Sequence, residues 1–315
     1  MNFINMTPKL QELANDEVPM KKSQESNYRM QIVWRNVVIL SYFHLASLYA
    51  LYLACYKARF WTIVWFFAVG IVSNIGITAG AHRLWAHKAY KAKWPMKLIL
   101  MIFQSVAYQD SILHWARDHR VHHRYTDTNA DPYSAHRGFF FSHVGWLLVR
   151  KHPDVISAKI DLTDLKQDPF VMFQKRWYAL LMPLCCFIIP SLVPYWAFGE
   201  SLWCAWHLAI CRYCINLHVT WLVNSAAHMW GYKPYNKLIT PVENAIVSLL
   251  AFGEGWHNYH HVFPWDYKAA ELGNYSLNIT TAFIDFFAYL GLAYDLKTAS
   301  DDMIKKRVVQ NSKLD

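Results

Sequence analysis

The chain has 315 residues, enough for one large domain or two small ones, and 55% of them are hydrophobic and 17% aromatic, a membrane-leaning composition. Mean hydropathy is only +0.07, so the apolar residues must be gathered into segments between strongly polar ones. The net charge of +9 sits on lysines and arginines that flank those segments and build no compact basic domain, so no nucleic acid is expected and an anionic membrane face or ligand is.

Residues 1–33 are polar, with Pro8, Pro19 and Lys21-Lys22, and read as a flexible tail rather than a signal peptide. Residues 37–55 and 61–81 are nearly all apolar, and each is long enough to cross a hydrocarbon core of roughly 30 Å. The link Tyr56-Lys-Ala-Arg-Phe60 makes them a hairpin. A first histidine box, His82-Arg-Leu-Trp-Ala-His87, follows directly. Its two histidines would stand about 140° apart on an ideal helix, so the spacing predicts a helix end or a distorted turn. Residues 94–113 are apolar but interrupted by Lys97, Gln104, Gln109 and Asp110. The boxes on either side must share one face of the bilayer, so this stretch is expected to be a helix lying against the membrane or the domain. In the second box His119, His122 and His123 stand at i, i+3 and i+4, on one helix face.

Residues 114–176 are polar, with turn signals at Asp131-Pro, His152-Pro and Asp168-Pro. Residues 178–198 and 202–223 form a second apolar pair around Gly199-Glu200. Pro183, Pro190 and Pro194 should kink the third span, and Arg212 and His218 in the fourth should face the interior. That helix leads to Asn224 and His228, an i, i+4 pair that makes His228 a candidate ninth ligand. The run from Val242 is too short to cross, so the third box, with His257, His260 and His261, returns to the same side. Residues 279–292 carry a helical apolar stripe with Asp285 off it, which reads as a surface or domain helix, with a fifth span as the alternative. Cys55, Cys185, Cys186, Cys204, Cys211 and Cys214 lie in apolar segments without CxxC pairs and read as buried hydrophobes.

Of 31 lysines and arginines, 15 lie between Arg83 and Arg176, two in the first hairpin loop and none in the second. The positive-inside rule puts both termini and every box in the cytosol. The sequons at Asn5, Asn274 and Asn278 should then carry no glycan. Nine imidazoles exceed one four-coordinate zinc and suit two metal ions with open positions. Glu254-Gly-Trp-His257 is the only Glu-x-x-His match, which argues against a carboxylate-bridged pair. Asp118, Asp127 and Asp131 are candidates for orienting imidazoles through the other ring nitrogen.

HRLWAH at 82–87, HRVHH at 119–123, NSAAH at 224–228 and EGWHNYHH at 254–261 together resemble the boxes of membrane acyl-CoA desaturases, the stearoyl-CoA desaturase family. The resemblance runs from Trp34 to Lys297 and is strongest toward insect, moth-like members. It implies an all-α integral membrane protein with four transmembrane helices (37–55, 61–81, 178–198, 202–223) and a cytosolic cap (82–177, 224–297), with residues 298–315 a cytosolic tail. It implies two Fe2+ ions held by His82, His87, His119, His122, His123, His228, His257, His260 and His261, with Asn224 acting through a water. The di-iron centre itself would be catalytic, with no separate acid or base.

A multi-pass protein of the endoplasmic reticulum is implied, taking long-chain acyl-CoA, O2 and electrons from cytochrome b5 and its NADH-dependent reductase. The resemblance sets Gln109, Trp115 and Thr220 at the bend of an acyl tunnel, and Asn36, Arg117, Asp118, Arg150 and Lys151 near the CoA head. Gly70 and Asn74 would close the far end, where glycine should admit a longer or deeper-set chain. Asp110 stands where mammalian members carry asparagine. The nearest alternative is a membrane di-iron fatty-acyl hydroxylase or acetylenase. A haem carrier or a metal transporter would need its ligands within the bilayer, and the boxes lie outside the spans.

Overall fold

The computed structural model describes residues 28–271 and 274–313. Most of the expected N-terminal tail, with the sequon at Asn5, lies outside the described residues. From Ile32 onward the chain forms one compact, mostly helical unit.

Helix α1 (Trp34–Tyr56) buries only Ala46, Ala50 and Leu53, spaced along one face. Small residues there let α6 (Leu202–Asn224) approach, and the contact is filled by Leu208, Ile210, Cys211 and Tyr213. The opposite face of α1 shows Val38, Leu45 and Leu48, each more than 60% exposed, as a lipid-facing helix would. Helix α2 (Phe60–Ala86) runs on past the expected end of the second span, because its last eleven residues, Gly76–Ala86, widen into a π-helix. The first box is therefore part of the rod and does not follow it. Gly76 is obligatory here: a Cβ would lie 2.2 Å from the Phe103 carbonyl carbon of α3 (Trp94–Ala107).

The stretch 94–113 is not one helix. Tyr108 and Asp110 take positive φ of 50° and 70°, and α4 (Ile112–Tyr125) starts anew on a Ser111 cap. The polar residues that interrupt the run satisfy the break: Gln104 donates to the Asp110 carbonyl at 2.8 Å, and the Ile112 N–H donates to Gln174 at 2.9 Å. In α5 (Tyr178–Phe198) the expected kink takes the form of a π turn, Leu184–Ile188, between Pro183 and Pro190. Arg212 is 1% exposed and donates to the Cys186 carbonyl at that turn and to the Val106 carbonyl near the end of α3, so it faces inward as expected.

Three of these helices, α1, α2 and α5, are long and apolar enough to cross a membrane. Helix α6, expected as the fourth span, has the length of α1 but carries buried His207 and Arg212. The two hairpins are latched through Glu200, 5% exposed, which accepts from the Arg59 N–H at 2.8 Å, Thr62 Oγ1 at 3.0 Å and the Ser201 N–H at 2.9 Å.

The cap adds α7 (His257–Val262), α8 (Ile279–Tyr289) and a two-stranded antiparallel ladder of β1 (Lys91–Ala92) and β2 (Ala293–Tyr294). Asp285, off the apolar stripe of α8, accepts from the Tyr267 and Tyr275 hydroxyls. The segment after Lys297, expected as a tail, forms α9 (Asp301–Ser312). Ser300 caps it, Ile304 packs with Tyr235, Tyr259 and Phe263 behind the third box, and Asn311 donates to the Lys233 and Pro234 carbonyls. Of the cysteines, Cys55 is exposed and Cys185 half-buried, because Cys55 points roughly 200° away from the buried Leu53 of α1. The other four are buried.

Removing the latch should be costly, since three donors would lose a buried acceptor. Glu200→Ala is expected to destabilise the protein by about 1–3 kcal/mol, read as a fall in melting temperature in detergent, with Glu200→Gln milder. Equal melting of Glu200→Ala and wild type would remove the latch from the account.

Candidate metal centre

The first box works because of the π-helix. His87 N–H donates to the His82 carbonyl at 3.0 Å, the i, i+5 bond of a π turn, and the two rings come within 4.8 Å of each other. A regular helix would have splayed them. The second and third boxes each divide their imidazoles between two places. His119 and His123 join His82, His87 and His260 in one group, while His122 joins His228, His257 and His261 in another. Within each group the ligand atoms all lie within 4.8 Å of one another. The shared face expected of each box is thus split. At about 100° per residue, i and i+4 diverge little, while i+3 leans to the other side. Helix α4 gives its i, i+4 pair to the five-histidine group and its odd member to the four-histidine group; α7 does the reverse.

The nitrogens meet in numbers that single protons do not pair, with one Nε2 in each group facing two others. His87 and His119 Nε2 are 2.8 Å apart, and His260 Nε2 lies 3.0 Å from both His82 and His123 Nε2. His257 Nε2 lies 3.1 Å from both His228 and His261 Nε2. Carboxylates stand behind two of the rings. Glu254 is 2.8 Å from His82 Nδ1, and Asp131 is 2.9 Å from His122 Nδ1. Each such ring keeps its proton on Nδ1 and turns a lone pair inward. His122 Nε2 is buried without a hydrogen-bond partner. Lone pairs converging at about 3 Å repel unless a cation lies between them, and that separation is the one adjacent ligands take around an ion roughly 2.1 Å from each. The residues fit a metal in each group.

A third cluster, His44, Cys214 and His218, makes the contrast. His44 Nδ1 lies on the Leu40 carbonyl, and the chain continues through His218 and His143 to Ser225 with contacts of 3.0–3.1 Å. There every ring nitrogen has a partner that a proton can bridge.

Burial drives the imidazoles of His87, His119, His123, His228, His257, His260 and His261 well below the ordinary histidine range, and neighbouring imidazoles add to it. They are neutral at pH 7, the state a metal requires. Burial pushes Glu254 up, but Arg83 and His82 outweigh it and hold the carboxyl down at about 2. Arg83, 1% exposed, also donates to the Tyr267 carbonyl, Thr281 and Asn278. Arg120, between the histidines of box two, donates to the Trp85 and Ala86 carbonyls, tying the end of α2 to α4.

A cavity of ≈ 630 Å³ runs along both groups, with His82, His119 and His257 in its wall. Of the residues singled out in the sequence, Asn36, Asn74, Gln109, Trp115, Asp118, Lys151, Thr220 and Asn224 line it. Gln109 donates to Thr220 at 2.9 Å, and Trp115 stacks on His119 with centroids 5.0 Å apart. Gly70, Arg117 and Arg150 are not in the wall. Gly70 instead packs on Asn216, which donates to its carbonyl at 3.0 Å, and Arg117 holds Asp118 and the Val155 carbonyl. Asp118 therefore orients no imidazole; it pairs with Arg117 and Lys151. Asp131 does orient one, and Asp127 reaches one only through Thr240. Sequence reading missed Glu254 in this role and Arg83 as its partner, though both sit inside the boxes. It also missed the aromatic wall of Phe43, Phe187 and Tyr213, which no spacing marks.

The sequence matches the model of the fatty acid desaturase family over residues 58–270. It is 58% identical over 298 residues to the acyl-CoA Delta-9 desaturase of Acheta domesticus, covering 94% of this chain and 83% of that protein. The acyl-CoA Delta12-desaturase of the same species is 57% identical over 299 residues, covering 94% of this chain and 84% of that protein. The acyl-CoA Delta(11) desaturase of Spodoptera littoralis is 50% identical over 306 residues, covering 96% and 90%. With the family model across most of its length and relatives matched nearly end to end, the chain belongs to the fatty acid desaturase family.

Proposed function

We propose that the protein is a membrane acyl-CoA desaturase, an oxidoreductase that introduces a double bond into a saturated or monounsaturated long-chain acyl-CoA in fatty acid or pheromone-precursor synthesis. The observation that carries this reading is the cavity whose wall includes histidines of both groups, so that a bound chain would lie against both. Adjacent methylenes hold no acidic hydrogen, and acid-base groups alone cannot remove a pair of them. Two iron ions are proposed, one for His82, His87, His119, His123 and His260, the other for His122, His228, His257 and His261 with Asn224 acting through a water; with O2 they supply the oxidising power the step needs.

The remaining work belongs to the protein. Phe43, Phe187 and Tyr213 would pack the chain, and the Gln109–Thr220 bridge with Trp115 would fix where it passes the histidines. Asn36 and Lys151, in the cavity wall, would meet the CoA head, an ammonium suiting phosphate. Desaturation with O2 consumes two electrons and two protons and releases two waters. The chain has no haem-binding or nucleotide-binding motif, so cytochrome b5 and its NADH-dependent reductase are the proposed donors. The proposed setting is the endoplasmic reticulum membrane, with four spans including α6 and both termini cytosolic, supported by the basic residues concentrated in the cap.

Expression in desaturase-deficient yeast should yield new monounsaturated acids, located by mass spectrometry after derivatisation, and His119→Ala should yield none. Hydroxylated or acetylenic products would replace the desaturase reading with its nearest rival. Glycosylation mapping tests orientation: sequons engineered beside Lys57 or Gly199 should gain a glycan while Asn274 and Asn278 stay bare, and the reverse pattern would invert the topology. Asn74 lies eight residues before His82 on α2. Asn74→Phe is expected to shift products toward shorter chains, with Gly70→Ala unchanged; an unaltered profile for Asn74→Phe would take that residue out of chain selection.

A further inference from the structure

Behind the four-histidine group a hydrogen-bonded chain joins two of its members. His122 Nδ1 donates to Asp131 Oδ1 at 2.9 Å, and Asp131 Oδ2 accepts the Asp127 backbone N–H at 2.9 Å. Asp127 has a positive φ of 64°, a conformation aspartate tolerates better than most residues, and its carboxylate accepts the Thr240 hydroxyl. Thr240 Oγ1 lies 2.9 Å from His228 Nδ1. A hydroxyl has one proton to give. With that proton committed to Asp127, Thr240 can only accept from His228, which must then carry its own proton on Nδ1 and present an unprotonated Nε2, 3.1 Å from His257 Nε2.

His228 has more need of such a brace than its partners. It stands outside the three boxes, on the four-residue helix Ala226–Met229 that continues α6. The other Asp127 oxygen, Oδ1, is buried without a hydrogen-bond partner, so the side chain's hydrogen bonding is spent on Thr240. Neither ring orientation nor tautomer of His228 is set by its own short helix.

We propose that Thr240 is a positioning residue of the metal centre: its hydroxyl, clamped by Asp127, holds the His228 ring with Nε2 toward the four-histidine group and governs metal retention there separately from the five-histidine group. The inference rests on the metal reading above. Outer hydrogen-bond partners of ligating histidines typically contribute about 10–100-fold in metal affinity.

The test uses the full chain purified in detergent with iron, measuring iron per chain by mass spectrometry and its rate of release to a chelator. Thr240→Val keeps the shape and removes the hydroxyl. It is expected to release part of its iron about 10–100-fold faster than wild type, leaving roughly half the wild-type content, while Thr240→Ser restores both. Asp127→Gly, which suits the positive φ and removes the acceptor, should shift release in the same direction and serves as the reading if Thr240→Val does not fold. Wild-type content and release in both variants, with His228→Ala losing iron, would overturn the role of Thr240 alone. A wild type without iron, or a His228→Ala variant identical to it, would overturn the metal reading and this inference with it.

Discussion

Nine imidazoles turned toward two points are not all held together by hydrogen bonds to one another. A ring whose Nδ1 proton is engaged behind it, as on Glu254 or Asp131, offers only a lone pair in front. At separations of 3.0–3.1 Å two such lone pairs repel, and burial removes the water that would otherwise relieve them. A cation in each group would turn the repulsion into ligation. The rest of the fold can be understood as what it takes to force neutral nitrogens this close and keep them unprotonated.

Charge is handled one layer out. A ligand set of neutral imidazoles leaves the metal's charge to be balanced elsewhere, and the carboxylates stand on the far side of the rings. They are unequally placed. Glu254, behind the five-histidine group, already shares its charge with the buried Arg83. Asp131 and Asp127, behind the four-histidine group, are met by an imidazole, backbone N–H groups and a hydroxyl. The group with fewer nitrogens thus has the larger share of uncompensated negative charge nearby, which offsets its shorter ligand list.

Much of this was legible in the sequence, because repetition and apolar length are strong signals. The boxes, the two hairpins, the inward Arg212 and the role of Asp131 could be read from spacing and charge. The division of each HxxHH box between two groups could not, since one helix face spans both directions until a second helix arrives to define them. The π-helix was foreshadowed only by the awkward i, i+5 spacing of His82 and His87. Glu254 and Thr240 were invisible as orienting groups because their partners, His82 and His228, are 172 and 12 residues away in sequence. The docking of α9 also depends on a distant partner, the pocket beside Tyr259, which no local pattern announces.

One helix links the bilayer to the chemistry. Helix α2 rises from the membrane as a regular helix, passes Asn74, Ile77 and Thr78 in the cavity wall, and ends on His82 and Ala86 in the π segment. Depth along the cavity and the position of a ligand are therefore measured on the same rigid rod, with no loop between them to add play. A chain held against that wall has its register to the histidines fixed by backbone geometry. On the proposed function, changes in wall side chains would slide the chain along the rod without touching a histidine of either group, so the same boxes would serve different bond positions.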